Sequence, residues 1–218
     1  MATAEPRAPV QPGEMAPGFT LPAADRDGMV ALADYRGKSP VLLAFERGFW
    51  CAFCRRHINQ FSTMRDKLQA LGVETLVILA TEPERSRLYL KYHPIRLPLA
   101  ADPAMASHHA FGLHTMAMTP VTIFKMLTTR SNPTGELEKP ASMMKLASIL
   151  DRMDNFEPTD VDKADARRQR TQLVGQFLVD RDGIVRWANI EGAREGIAGI
   201  GKLPSEEEFL AAARALSG

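Results

Sequence analysis

Residues 41–54 read VLLAFERGFWCAFC, and this stretch determines the predicted fold. It opens with a continuous apolar run, Val41 to Phe45, which is typical of a strand buried on both faces of a sheet. After Cys54, apolar residues recur every three or four positions up to Leu71, as on one face of an amphipathic helix. A second apolar run follows at 73–80. The stretch therefore predicts a strand, a helix and a parallel strand, with the cysteines where the first strand gives way to the helix.

The alternation of strands and helices extends beyond this unit and predicts the α/β class. Thr81 and Glu84 form a possible capping box for a helix that ends near Tyr92. A short strand over 97–101 and a helix that closes near Gly112 are expected next. Towards the end, two apolar runs flank Asp182-Gly183 as in a hairpin, and Ser205 with Glu208 predicts the start of a last helix.

Two segments depart from this alternation. Residues 1–14 have the composition of a flexible N-terminal tail, so the domain is expected to span 15–218. Residues 113–172 are predicted to form an insertion that packs beside or over the main sheet. Within the insertion we expect a strand over 119–126, an amphipathic helix over 142–153 and a polar, charged stretch over 154–170.

Composition narrows the possible functions. The formal net charge is +1 and charged residues make up 24% of the chain, so neither a nucleic acid nor a membrane is expected as a partner. No apolar run approaches the ~20 residues of a membrane helix, and no signal peptide is visible, so a cytoplasmic protein is expected. The chain has only two cysteines, too few for a disulfide scaffold or for a structural zinc site by themselves. In such a protein, a closely spaced pair of cysteines points first to redox chemistry.

The Cys51-x-x-Cys54 spacing explains how that chemistry would work. In the first turn of a helix, unpaired backbone N–H groups stabilise a thiolate, and Arg47 is close in sequence. One thiol can attack a substrate, and the other can resolve the product as an intramolecular disulfide. Arg47 is a candidate to orient a peroxide or to stabilise the thiolate, or it forms an ordinary ion pair. Trp50 is a candidate to shield the site, or it simply packs in the core.

The stretch from Pro40 to Arg56, with its Trp-Cys-x-x-Cys element, resembles the peroxiredoxin-like (alkyl hydroperoxide reductase/thiol-specific antioxidant) branch of the thioredoxin superfamily. Residues 13–22 and 175–183 are similar to the N-terminal and closing hairpins of that family. The resemblance implies a thioredoxin-like fold, with a central mixed sheet flanked by helices, an N-terminal hairpin and the helical insertion. The family places Pro and Thr seven and three residues before its peroxide-attacking Cys. Counted from Cys54, those positions hold Arg47 and Cys51.

The resemblance implies an enzyme that reduces a hydroperoxide or a disulfide, with electrons from an external thiol reductant, thioredoxin-like or of low molecular weight, and no other cofactor. Two assignments of the cysteines stay open. In a thioredoxin-like scheme Cys51 attacks, which we prefer because it should lie nearer the surface; in a peroxiredoxin-like scheme Cys54 attacks. A thiol–disulfide oxidoreductase without peroxidase activity and a non-enzymatic redox sensor are the alternatives, and a homodimer is one possible assembly. His57 is expected to be a partly exposed surface residue, and no metal site is expected.

Overall fold

The computed structural model describes residues 7–169 and 171–216, and its centre is a five-stranded mixed sheet. The strand order in this sheet is β5-β4-β3-β8-β9. β3 lies parallel to β4, with Phe45 opposite Ile78, and antiparallel to β8, with Phe45 opposite Gly175. The predicted strand, helix and parallel strand are therefore confirmed. The strands are β1 (Thr20–Pro22), β2 (Met29–Ala31), β3 (Val41–Glu46), β4 (Glu74–Leu79), β5 (Leu99–Ala101), β6 (Arg130–Ser131), β7 (Ala141–Ser142), β8 (Gly175–Val179) and β9 (Val185–Ile190).

Helices flank the sheet, and the alternating side chains of β3 separate two core layers. Leu42 and Ala44 face the layer that contains α1 and α7. Leu43 and Phe45 face the opposite layer, which includes residues of the β1–β2 hairpin. The helices are α1 (Ala52–Ala70), α2 (Pro83–Tyr92), α3 (Ala106–Ala110), α4 (Pro120–Thr128), α5 (Met143–Met153), α6 (Asp160–Gln169) and α7 (Glu206–Arg214).

The predicted N-terminal tail is not uniform. Residues 1–6 lie outside the described residues, so their predicted flexibility stays a prediction. Val10, in contrast, is fully buried, and its N–H donates to the Phe111 carbonyl over 3.2 Å. Gly112 permits this packing because its φ is +77° and a side chain there would meet the backbone of Ala8 and Pro9. Around Val10, the chain is thus part of the core, which the composition of the segment did not indicate.

Two local predictions were wrong. Residues 119–126 were expected to be a strand, but α4 lies there, since Thr119 accepts the Thr122 N–H through its hydroxyl and Pro120 opens the helix. The proposed capping box at Thr81 does not form. Glu82 precedes α2 instead, and the Thr81 hydroxyl donates to the Asp165 carboxylate in α6. At α4, the capping residues outweighed the strand-like composition. At Thr81, a hydrogen bond to a residue distant in sequence replaced the expected capping contact.

The remaining predicted elements are confirmed within a few residues. The helix expected over 142–153 is α5, and the box of Ser205 and Glu208 begins α7 as predicted. The polar stretch over 154–170 contains α6. Helices α4, α5 and α6 therefore lie between α3 and β8, inside the segment predicted to be an insertion.

Candidate active site

The two cysteines open α1 directly beyond the carboxyl end of β3. Cys51 is the N-cap residue, and its Sγ accepts the Cys54 N–H over 3.2 Å. The two sulfurs are bonded to each other, with the Cα atoms 5.2 Å apart. The arrangement places Cys51 Sγ at the positive end of the helix, where a thiolate is stabilised.

The disulfide lies in an apolar cluster that the insertion helps to build. Cys51 is 4% exposed and Cys54 is fully buried. The cluster contains neighbours in α1, Val174 directly before β8, and Ile200 in the segment between β9 and α7. It also contains three side chains of α5: Met143, Leu146 and Leu150. The insertion thus packs over the cysteines as well as beside the sheet. Its role at the site was not apparent from its sequence.

Arg47 is buried next to the site but is already paired. Its Nη2 donates to Glu191 Oε1 over 3.0 Å and its Nη1 donates to the Gln172 carbonyl over 2.9 Å, while Nε has no partner among the described residues. Glu191 also accepts the backbone N–H groups of Gly201 and Val174. Because this pair is 8% and 1% exposed, it is a desolvated ion pair and not the surface pair considered from the sequence.

A second buried pair lies on the same side of the sheet. His57 Nδ1 is 3.2 Å from both carboxylate oxygens of Glu46, and its Nε2 is 3.1 Å from the Gly201 carbonyl. Burial acts to lower the pKa of His57, but the negative charge and the hydrogen bond of Glu46 outweigh it, so that the pKa is raised above its ordinary value. The expectation of a partly exposed His57 was wrong, since only 3% of the residue is accessible.

Trp50 connects the cysteine loop to the insertion. Its indole N–H donates to Gln169 Oε1 at the end of α6 over 2.9 Å. The amide group of Gln169 in turn donates to the Ala80 carbonyl. Trp50 also packs against the cysteine cluster, so the structure gives it both a packing contact and a fixed orientation. Its predicted role as a shield stays a proposal.

Arg55 and Arg56 attach the insertion to the first turns of α1. Arg55 is 5% exposed and donates to Asp151 and Asp154, and its guanidinium lies 4.0 Å from the centroid of the Phe156 ring. Arg56 donates to Asp154 and Glu136. These arginines follow Cys54 in sequence, but the acidic partners are 80 to 99 residues away and were not predicted.

The histidines outside α1 do not suggest a metal. His108 is fully buried, with its Nδ1 3.5 Å from Asp102 and its Nε2 3.3 Å from the Glu46 carbonyl. His109 and His114 stack on each other. Within residues 7–169 and 171–216, no three metal-ligating side chains of His, Cys, Asp or Glu converge. Among the same residues, no helix is both long enough and apolar enough to cross a membrane.

Comparison with known proteins identifies the family. The model of the AhpC/TSA family matches residues 12–133, which is more than half of the 218-residue chain. The chain belongs to the AhpC/TSA family. This is a family of thiol-dependent oxidoreductases, and the membership confirms the resemblance inferred from residues 40–56.

Individual relatives agree with this assignment. A Mycobacterium tuberculosis protein named as a peroxiredoxin, Rv2521, is 30% identical over 103 residues, which cover 47% of this chain and 64% of that protein. The chain therefore matches less than two thirds of the length of this curated relative.

Solved structures confirm the thioredoxin-like fold. Plasmodium vivax 2-Cys peroxiredoxin superposes with a TM-score of 0.61 at 17% identity, over 96% of this chain and 83% of that one. Peroxidoxin BcpB of M. tuberculosis gives 0.59 at 13% identity, over 95% and 98%. A Chlorobium tepidum protein named as the thiol:disulfide interchange protein DsbE gives 0.52 at 19% identity, over 96% and 99%. At these identities the likeness concerns the fold alone.

Proposed function

We propose that the protein is a thiol-dependent peroxidase that reduces a hydroperoxide through Cys51 and Cys54. The observation that carries the proposal is the disulfide at the N-terminus of α1, directly after β3. Membership of the AhpC/TSA family supports the same chemistry. We further propose that the predicted domain of residues 15–218, with 113–172 as its insertion, acts as one thioredoxin-like domain together with the packed segment around Val10.

The proposed cycle uses both sulfurs. The Cys51 thiolate attacks one oxygen of the hydroperoxide, the O–O bond breaks, and an alcohol or water leaves after taking up a proton. Cys51 is then a sulfenic acid, which the Cys54 thiol attacks with loss of water to give the disulfide. Two electrons and two protons from an external dithiol restore both thiols. We assign the attack to Cys51 because its Sγ accepts the Cys54 N–H and is the less buried sulfur.

Arg47 and Trp50 are proposed to support this step. The Arg47 guanidinium lies beside the cysteine loop, and its Nε is the one guanidinium nitrogen that has no hydrogen-bond partner among the described residues. That N–H is the available donor for a peroxide oxygen. Trp50, held by Gln169, is proposed to keep water from the disulfide.

The second candidate is a thiol–disulfide oxidoreductase without peroxidase activity. A specific observation favours it: the Thr of the peroxiredoxin motif is missing in either register, since its position is Gly48 when counted from Cys51 and Cys51 when counted from Cys54. The Thr hydroxyl that the motif provides is therefore absent, and Arg47 is paired with Glu191. A disulfide substrate requires only the two thiols and a route to Cys51.

A stopped-flow comparison tests the proposal. We expect the reduced protein to consume a hydroperoxide much faster than free thiol does, and Cys51→Ser to abolish this reaction. Slow peroxide consumption with rapid dithiol exchange on insulin would favour the second candidate. Trapping of sulfenic acid assigns the sulfurs, since Cys54→Ser should accumulate it and Cys51→Ser should not; the reverse result would make Cys54 the attacking thiol.

The surroundings of this reaction are proposals as well. The reductant is expected to be thioredoxin-like or a low-molecular-weight thiol, and the compartment is expected to be the cytoplasm. The homodimer also stays a prediction.

A further inference from the structure

One carboxylate bridges two consecutive arginines beside the cysteines. Asp154, which directly follows α5, accepts hydrogen bonds from Arg55 over 2.6 and 3.1 Å and from Arg56 over 2.9 Å at both of its oxygens. Burial acts to raise the pKa of the Asp154 carboxyl, but the bonds from Arg56 and Arg55 outweigh it and lower the pKa below its ordinary value. Asp154 is therefore a charged partner of both guanidinium groups.

The same connection holds a cover over the disulfide. α5 ends next to Asp154, and its Met143, Leu146 and Leu150 lie in the apolar cluster around Cys51 and Cys54. A reductant or substrate must come within bonding distance of Cys51 Sγ, yet only 4% of that residue is accessible. The cover must therefore move before another thiol, even that of a small dithiol, can attack this sulfur.

The cationic side chains around the cysteines fall into two groups, according to which part of the chain supplies their acidic partners. Arg47 is paired with Glu191, and His57 with Glu46, so both of these pairs lie within the sheet and α1 region of the domain. Arg55 and Arg56, in contrast, are neutralised by Asp151, Asp154 and Glu136, all of which belong to the insertion. Displacement of the insertion would leave two unpaired positive charges in the first turns of α1, where they stabilise a thiolate.

We propose that Asp154 is a positioning residue that couples access to the cysteines with their activation. While Asp154 binds Arg55 and Arg56, α5 covers the sulfurs and the two positive charges are neutralised. When this contact opens, Cys51 becomes accessible and the two arginines become free to stabilise its thiolate. The inference rests on the proposed redox role of Cys51 and Cys54, but not on peroxide as the substrate.

The reaction that reports on this contact is the reduction of the disulfide by dithiothreitol. A dithiothreitol thiolate attacks Cys51 Sγ, the Cys51–Cys54 bond breaks, and Cys54 leaves as a thiolate that takes up a proton. The second dithiothreitol thiol then attacks the mixed disulfide, so that oxidised dithiothreitol and two protein thiols result. No peroxide takes part. A protein that lacks peroxidase activity therefore still gives a clear answer.

The test compares Asp154→Asn with Asp160→Asn in the full chain. Asp160 is a matched control, because it belongs to the insertion, loses the same charge and is 99% exposed, with Lys163 as its ionic partner among the described residues. If the Asp154 contact stabilises the closed state of the cover over the open state by ~1.4 kcal/mol, its loss raises the rate of reduction about tenfold. We expect that rise for Asp154→Asn and none for Asp160→Asn, with protein thiols counted by mass spectrometry.

A pH profile separates positioning from simple loosening. In the reduced proteins, the rate of alkylation by iodoacetamide follows the thiolate, so its midpoint gives the pKa of the reactive thiol. Loosening alone would move this pKa towards the ~8.5 of a free cysteine. We expect Asp154→Asn to have a midpoint below that value and below the midpoint of Asp160→Asn. If either the reduction rate or the midpoint matches that of Asp160→Asn, the proposal is overturned.

Glu136→Gln keeps the test decisive if Asp154→Asn does not fold. The Glu136 side chain is 38% exposed, and its ionic partner among the described residues is Arg56, so its loss does not leave the buried Arg55 without a counter-charge. We expect a smaller rise in the reduction rate and a smaller fall in the alkylation midpoint, in the same directions. Values equal to those of Asp160→Asn would refute the inference.

Discussion

The sheet and the insertion are held together by different forces. Around Phe45 in β3, the rings of Phe111 and Phe177 lie 4.6 and 5.8 Å away, in a layer of mostly apolar side chains. The insertion is attached through ion pairs: Asp162 of α6 binds Arg85 of α2, and Asp154 binds Arg55 of α1. The core therefore depends on the area of apolar surface removed from water, whereas the insertion combines the apolar contacts of α5 with matched charges. The ion pairs that attach the insertion can break locally while the sheet stays folded.

The largest expected effect is in the core. Phe45→Ala should lower the free energy of unfolding by ~3–5 kcal/mol, because it removes a fully buried ring and leaves a cavity. The matched control is Phe124→Ala on α4, where the ring is 66% exposed and a change within ~0.5 kcal/mol is expected. Equilibrium unfolding in urea measures both. Equal losses in the two variants would show that α4 carries as much of the stability as the sheet does.

The next effect should be confined to the insertion. Asp162 is 1% exposed and binds Arg85 through both of its oxygens, over 2.9 and 2.7 Å. Asp162→Asn leaves the buried Arg85 without its counter-charge, which costs about 3 kcal/mol. Hydrogen exchange should show faster exchange in α6, with the slow amides of β3 and β4 unchanged. Asp160→Asn serves as the exposed control with little expected effect.

Hydrogen exchange of Asp162→Asn can also contradict the view that the sheet and the insertion are stabilised separately. If β3 and β4 exchange faster together with α6 in Asp162→Asn, the insertion and the sheet unfold as one cooperative unit. The ion pairs of the insertion would then contribute to the global free energy of unfolding. Opening of α5 over the cysteines could not occur by release of these ion pairs alone.

The contrast also explains what the sequence could predict. Phe45, Ile58 and Cys51 belong to patterns that are complete within a few residues, so the parallel unit and the cysteine pair at the helix start could be inferred. The Asp154 contacts join residues 98 and 99 positions apart, and no periodicity links such partners. Glu191 was missed for the same reason, since it lies 144 residues from Arg47. Glu46 is only 11 residues from His57 and could have been noticed. A glutamate that ends a wholly apolar strand was the available signal, because a buried carboxylate needs a partner.

α4 shows a different limit. Its segment, TPVTIFKMLTT, is rich in β-branched and aromatic residues, which favour strands. The Thr119-Pro120 start instead caps a helix whose residues include none that is buried. With no fully buried side chain in α4, the capping residues determined the structure, and the composition of the segment misled the prediction.

The smallest expected effect concerns the buried pair of His57 and Glu46, which is charged although it lies in the core region. The raised pKa of His57 means that the folded protein binds its proton more tightly than the unfolded chain does. The stabilisation is therefore complete below the unfolded pKa of ~6.5 and is lost as the pH rises through the folded pKa. Within that window the free energy of unfolding should fall by at most ~1.4 kcal/mol per pH unit. Urea unfolding of the oxidised protein, from pH 6 upwards, measures the slope without titrating thiols.

Glu46→Gln isolates this contribution. His109 has the opposite effect on the pH dependence of the free energy of unfolding, since burial and the neighbouring His114 lower its pKa. The slope measured for the native protein is therefore the sum of two contributions of opposite sign. The difference between the native protein and Glu46→Gln removes the His109 part, because Glu46 is not among the groups that shift its pKa. We expect the variant to be less stable at pH 6 and to lose the downward slope. A slope identical in both proteins would mean that Glu46 does not hold the His57 proton, and that this buried pair adds no pH-dependent stability to the core.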